Sequence, residues 1–304
     1  MAAFLNNRRH FIKQAGAAGL GLGLSKAEWL MTKARKEELI ILHTNDVHSH
    51  IHPFSSDHPR YAGQGGAVKR ANLIDAYRRN HKHVLLLDAG DIFQGTPYFN
   101  FYGGELEMKL MSQMKYDAVT LGNHDFDGGI DGLLKAKKHG KFPLLNSNYV
   151  IENTLAEAVE PYKVFKKGKV KVGVFGVGIE LEGLVDPTLC KGVIYTDPVA
   201  AANKTAMLLK ETLGCDYIIC LSHLGLKYKE EKISDVLMAR STKHIDLIIG
   251  GHTHSFLDEP LKELNEVGQP VLVSQAAWAG LRLGVVKVTL SQTDKVSAGS
   301  SAQI

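Results

Sequence analysis

The chain has 304 residues, of which 44% are hydrophobic and 22% charged, with only three cysteines. Length and apolar content allow large buried cores and exclude a disordered, collagen-like or disulfide-dense chain. The formal net charge of +4 comes from the N-terminus: residues 1–36 hold seven Lys/Arg and one acid, so the remainder is slightly acidic and offers no global field for a nucleic-acid polymer.

The first segment reads as a leader. Residues 7–13, NRRHFIK, precede an apolar Gly/Ala-rich run, AGAAGLGLGLS, at 15–25. A charged region followed by a short apolar stretch has the form of a secretory signal. The run is well short of the roughly 20 residues that span a bilayer. Arg8 and Arg9, then Phe11, Ile12 and Lys13, resemble a twin-arginine export signal, with Asn7 where Ser or Thr is usual. This predicts a leader over 1–36 and export to the periplasm. No clean A-x-A cleavage site is visible, so an uncleaved leader would leave the protein membrane-anchored. Because that route carries folded proteins, the resemblance also hints at a cofactor loaded before export.

Strand and helix patterns then alternate. LIILHTND (39–46) is an apolar run with a polar end; residues 66–80 have helical spacing, with Val68, Leu73, Ile74 and Tyr77 on one side. HVLLLDAGD (83–91), a helix over 105–114, DAVTLGNHD (117–125) and a helix over 128–139 follow. FPLLNSNY (142–149) reads as strand, and 162–178 as a hairpin turning at Lys167–Gly168. A helix over 197–213, YIICLSH (217–223), a helix near 228–240 and IDLIIGGHTH (245–254) repeat the alternation. Residues 270–275 and 283–290 alternate like antiparallel strands, and 291–304 read as a polar tail. Continuously apolar strands imply helices on both faces of a sheet. The expected organisation is one domain over 37–290 between leader and tail. Cys215 and Cys220 flank a strand-like DYII, on the order of 16 Å apart and beyond the ~7 Å reach of a disulfide. The three thiols read as core residues.

The chemistry gathers at strand ends. Five apolar runs finish in metal-capable groups: Asp46 and His48; Asp91; Asn123 and His124; His223; His252 and His254. In α/β sheets, ligands bind beyond the carboxyl ends of strands. Any one such residue is ordinarily a turn or core residue, but five in order are hard to assign to chance. Mixed carboxylate, imidazole and amide donors suit Zn, Mn, Fe or Co better than Ca or Mg, and thiolates of a closed structural zinc site are missing. There are more donors than one ion needs; two ions about 3.5–4 Å apart, sharing a carboxylate, would use them all.

These blocks, with their flanking text TNDVHSH, LDAGDIFQGTP, LGNHDFD and GGHTH, resemble the calcineurin-like metallophosphoesterases, specifically the catalytic domain of the 5′-nucleotidase branch. The resemblance spans roughly residues 39–290. It implies an α/β fold, a four-layer αββα sandwich, with a dinuclear site between two sheets. It implies that Asp46, His48 and His254 bind one metal, that Asn123, His223 and His252 bind the other, that Asp91 bridges, and that His124 and Asp127 form the catalytic pair. The implied cofactors are two divalent ions. The implied reaction is hydrolysis of nucleoside 5′-monophosphates or related phosphate monoesters by metal-bound hydroxide, with His124 serving the leaving oxygen. Other esters on the same fold (a 2′,3′-cyclic nucleotide or a sulfur ester) and a non-enzymatic metal-binding subunit stay open.

Two-domain members of that branch carry a C-terminal domain that stacks the base between aromatics. Residues 37–304 show no such clamp, so the expected partner is a small phosphate ester, with base recognition weak or supplied by a separate chain equivalent to that domain. Gly122, Gly250 and Gly251 are expected to permit tight turns. His50 and His52 read as exposed loop residues. Trp278 and Arg282 are candidates either for substrate contact or for packing.

Overall fold

A computed structural model describes residues 37–291 and 295–304; the expected leader lies outside the described residues. The first sheet is built on β1 (Glu37–Thr44), β2 (Val84–Asp88), β3 (Ala118–Thr120) and β4 (Leu144–Leu145), with a small strand β5 (Tyr149–Ile151) leading to β6 (Val159–Glu160). Strands β1, β2, β3, β4 and β6 run parallel in that order. The hairpin expected over 162–178 forms as β7 (Tyr162–Lys167) and β8 (Val170–Val177), with Gly168 at φ +64° in its turn. It belongs to a second sheet with β10 (Tyr217–Ser222), β11 (Leu247–Gly250), β12 (Leu261–Leu264) and β13 (Pro270–Ser274), reached after β9 (Val193–Tyr195), which pairs with β5. β14 (Arg282–Leu290) returns to the first sheet, antiparallel to β1.

Burial explains the layering. Alternate side chains of β1 face opposite ways, and both sets are buried. Leu39 and Ile41 pack between the sheets with Leu85, Leu87, Val172, Val174, Ile219 and Leu247. Ile40 and Leu42 pack outward in the core that takes in α1 (Ala67–Asn80), α2 (Pro97–Tyr102), α3 (Glu105–Gln113) and α4 (Gly129–Lys137). The second sheet is covered on its outer face by α5 (Pro198–Met207) and α6 (Asp235–Ser241). Each fully buried Leu, Ile or Val contributes about 1.5–3 kcal/mol relative to exposure. The result is the expected αββα sandwich. Cys215 and Cys220 are buried, and all three cysteines are free.

Three expectations need correction. Residues 295–303 are not a tail: they form β15 (Lys295–Gln303), antiparallel to β14 along its whole length. β14 otherwise presents an unpaired edge, and polar residues suffice to cap one. The strands at 270–274 and 282–290 have the antiparallel partners expected, β12 for β13 and β1 and β15 for β14, and they lie in different sheets, β13 also running parallel to β11. The helix expected near 228–240 starts only at Asp235, where the Ser234 hydroxyl accepts from Leu237 N–H as an N-cap. The strand expected over 142–149 shrinks to Leu144–Leu145.

The loops after β1, β2, β3, β10 and β11 emerge at one edge of the sandwich and are tied across it. His43 Nε2 lies 3.0 Å from Ser274 Oγ, and His223 Nδ1 lies 2.6 Å from Ala89 O, each joining one sheet to the other. Asn45 accepts from Ala276 N–H at 2.7 Å and donates to Ala277 O at 2.6 Å.

Candidate metal centre

At that edge, the nine residues singled out from the sequence converge. Asp46, His48 and His254 form one group whose donor atoms lie within 4.8 Å of one another, and Asp91, His223 and His252 form a second. Asp91 reaches both: its Oδ2 is 3.1 Å from His223 Nε2 and 3.8 Å from His48 Nε2. Asn123 Oδ1 lies 3.0 Å from His252 Nδ1. Asp46, Asp91 and His223 are almost wholly buried, whereas His254 opens to solvent.

The donor chemistry fits cations. Ala89 O accepts the His223 Nδ1 proton, so Nε2 is the nitrogen turned to Asp91; it is buried without a well-aligned hydrogen bond, a position that suits either a second proton or a metal ion. His48 is held likewise, its Nδ1 3.2 Å from Phe93 O, which leaves its Nε2 facing His254 Nε2 at 3.0 Å. At that distance the His254 ring donates its proton to the His48 Nε2 lone pair, and release of that one proton frees both nitrogens for a cation. Burial would push the His223 imidazole down, but the Asp91 carboxylate beside it outweighs this and holds its pKa above the ordinary value. A field that retains a proton on a buried imidazole also favours a metal ion.

His124 and Asp127 stand beside this group. His124 Nδ1 is 2.8 Å from Asp127 Oδ2, and the His124 backbone N–H donates to Asp91 Oδ1 at 2.8 Å. Burial lowers the His124 pKa, but the bond to Asp127 and the Asp91 charge carry the net shift upward. The His124 side chain is 36% exposed, and with Nδ1 taken up by Asp127 its Nε2 is the nitrogen left for a ligand.

Sequence reading missed the support. Asp125, fully buried, accepts N–H bonds from Asp91 at 3.1 Å, Ile92 at 2.9 Å and Gly122 at 2.8 Å, locking the loops after β2 and β3 together. The LGNHDFD block contains it, but only the fold reveals the donors around it, which also include Phe93 N–H at 3.4 Å. Asp235, held by Ser222 and Gln275, backs the loop after β11; Gln275 also donates to Gly251 O at 2.8 Å.

The glycines act differently from expectation. None of Gly122, Gly250 and Gly251 lies in the left-handed region. Space is what they supply: a Cβ on Gly122 would fall on the Asp91 carboxylate, and one on Gly250 on the Asp235 carboxylate. The left-handed positions are the donors themselves, with φ of 50° at Asp46, 49° at His48, 56° at Asp91, 70° at His252 and 52° at His254. Non-glycine residues held there cost of order 1 kcal/mol or more and gather at functional sites.

Other histidines and Arg282 have ordinary partners. His81, His83, His139 and His244 lie near Glu38, Glu37, Glu105 and Glu211 at the surface. Arg282 is taken up by Asp258 Oδ1 and Ser301 Oγ, each at 3.0 Å, so it faces away from substrate duty. Trp278 instead stacks on His254, and His50 is half-buried against Trp278 rather than exposed.

Compared with known protein families, residues 39–256 match the calcineurin-like phosphoesterases. The chain belongs to that family. Among curated proteins, this phosphoesterase is 37% identical over 289 residues to the snake venom 5′-nucleotidase of Naja atra, covering 88% of this chain and 53% of the venom protein. It is 33% identical over 306 residues to the human 5′-nucleotidase, covering 93% of this chain and 52% of the human one. The crystal structure of a 5′-nucleotidase precursor from Thermus thermophilus superposes with a TM-score of 0.79 at 32% identity, covering 88% of this chain and 55% of that one. These likenesses place the phosphoesterase domain in the 5′-nucleotidase branch. The chain spans about half the length of the curated relatives it matches.

Proposed function

We propose that this chain hydrolyses phosphate monoesters, nucleoside 5′-monophosphates foremost, at a centre that holds two divalent ions. The observation that carries the reading is the pair of donor groups sharing Asp91 with the His124–Asp127 pair alongside. Asp46, His48 and His254 would hold one ion, and Asn123, His223 and His252 the other. When bound, two dications offset the charge of the phosphate oxygens and lower the pKa of water.

The chain's own residues do the rest. Asp91 and Asp46 fix the donor geometry from buried positions. Asp127 holds His124 Nδ1, fixing the ring and favouring its protonated form, so that Nε2 can give a proton to the departing alcohol oxygen as the P–O bond breaks. Water supplies the oxygen gained by phosphorus, and the products are inorganic phosphate and a nucleoside.

The test is phosphate release from AMP, from glycerol phosphate and from a cyclic nucleotide, with metal analysis on the same sample. Two ions per chain, with turnover lost to a chelator and restored by Mn, Zn, Co or Fe, support the reading. A fully metallated protein without turnover on any monoester would refute it. The leader over 1–36 is proposed as a twin-arginine-type export signal. Changing Arg8 and Arg9 to lysine keeps the charge, and should leave the protein folded in the cytoplasm; undiminished export would argue for a general secretory route.

A further inference from the structure

A line of aromatic side chains leaves the candidate metal centre for solvent. Trp278 lies parallel to the His254 ring, centroids 5.5 Å and planes 4° apart. Its edge meets Phe54 at 6.0 Å and Tyr61 at 6.4 Å. Tyr61 in turn lies parallel to Phe256, centroids 6.1 Å and planes 7° apart, and Phe256 is 43% exposed. The Arg60 guanidinium sits over both rings, 5.3 Å from Tyr61 and 5.9 Å from Phe256, without a carboxylate partner among the described residues.

Three loops build this line, those following β1, β11 and β13, and the structure holds them deliberately. Ala277 N–H donates to Ser255 O at 3.1 Å, and Phe256 bridges to Ala276. Trp278 is bracketed by Ala277 at φ 60° and Ala279 at φ 53°, a conformation alanine rarely adopts. Strain on both sides of one tryptophan marks a side chain placed for a purpose beyond packing.

We infer that Trp278, Tyr61 and Phe256, with Arg60 above, form a shelf on which the planar base of the leaving nucleoside stacks. This rests on the phosphomonoesterase reading above. The shelf offers aromatic faces and one cation, and every nucleobase has a face to stack, so it separates aromatic from aliphatic leaving groups while discriminating little among bases.

Two readouts test it. The chain has two tryptophans, Trp29 and Trp278, so Trp29→Phe leaves Trp278 as the sole reporter. Adenosine, which carries no phosphate, should quench its emission saturably. Phe256→Ala and Tyr61→Leu should each weaken that binding about tenfold, and Phe256→Tyr, which keeps the ring, should restore it. The ratio of kcat/KM for AMP to that for glycerol phosphate should fall about tenfold in Phe256→Ala and return in Phe256→Tyr. Hydrolysis of both esters with no quenching, or with the ratio unmoved, overturns the shelf and spares the phosphatase reading. Quenching sensitive to Phe256→Ala in a metallated protein that hydrolyses neither ester keeps the shelf as a nucleoside site and sinks the phosphatase reading.

Discussion

Replacing Asp125 by alanine should cost about 3–5 kcal/mol of folding stability. The carboxylate accepts from the buried backbone N–H groups of Asp91, Ile92 and Gly122 at 2.8–3.1 Å, and more weakly from that of Phe93 at 3.4 Å. Each donor left without an acceptor costs about 1–3 kcal/mol. Two effects pull the sum toward its low end. A water can enter the space and satisfy one donor. Burial also pushes the Asp125 carboxyl well above the ordinary carboxylate range, with the nearby Asp91 charge adding to this, so removing it returns part of a desolvation cost. At this chain length, 3–5 kcal/mol corresponds to a Tm drop of roughly 6–20 °C. The measurement is denaturant unfolding in the presence of a chelator, because bound metal would add its own stabilisation by mass action. Asp125→Asn keeps one carbonyl acceptor and should recover more than half of the loss. An alanine variant within about 1 kcal/mol of wild type, or an asparagine variant as unstable as alanine, would refute the reasoning.

Three further outcomes are expected. Asp91→Asn should lower metal content below two ions per chain and nearly abolish turnover, because one carboxylate reaches both donor groups; full occupancy with wild-type turnover would contradict the sharing. His124→Ala should retain its metals yet lose kcat by roughly 10²–10⁴, with Asp127→Asn losing less; loss of metal in the His124 variant would make it a ligand instead. Asp235 gives a pH dependence. Burial pushes its carboxyl up to about 7 against the hydrogen bonds from Ser222 and Gln275. Between the unfolded carboxylate value and about 7, the folded state keeps a proton that the unfolded chain has released. Stability therefore falls as pH rises through that window and levels off above it, and Asp235→Asn should make the slope shallower by one carboxyl's share, the buried Asp125 keeping its own. Unfolding midpoints of both proteins across the window decide it; parallel curves would count against the assignment.

What was legible in the sequence follows from burial. β1, β2, β3, β10 and β11 announce themselves because both faces are covered, which leaves unbroken apolar runs that end where the polar loops begin. All nine residues expected at the site converge there, since each sits just past one of those ends. β15 could not be read, because KVSAGSSAQ carries no apolar rhythm; its strand character comes from the open edge of β14. The partnering of β13 and β14 with different sheets is equally invisible, as side-chain alternation says nothing about which strand lies alongside. Asp125 and the ring line from Trp278 to Phe256 depend on loops far apart in the chain, and Phe54 and Tyr61 look like ordinary loop residues until the fold brings Trp278 beside them.

The left-handed backbone at Asp46, His48, Asp91, His252 and His254 has a consequence for how such a protein can be improved. Aspartate and histidine enter that region more readily than most side chains, so one choice of residue serves both coordination and turn geometry. Glycine would serve the turn better still. At each of these positions, a search for thermostable variants should reward the glycine substitution, which relaxes the backbone, and the same substitution would delete a donor atom. Selection for heat resistance alone would thus draw this domain toward a sturdier, inert form, and a screen meant to preserve the centre has to score bound metal together with melting temperature.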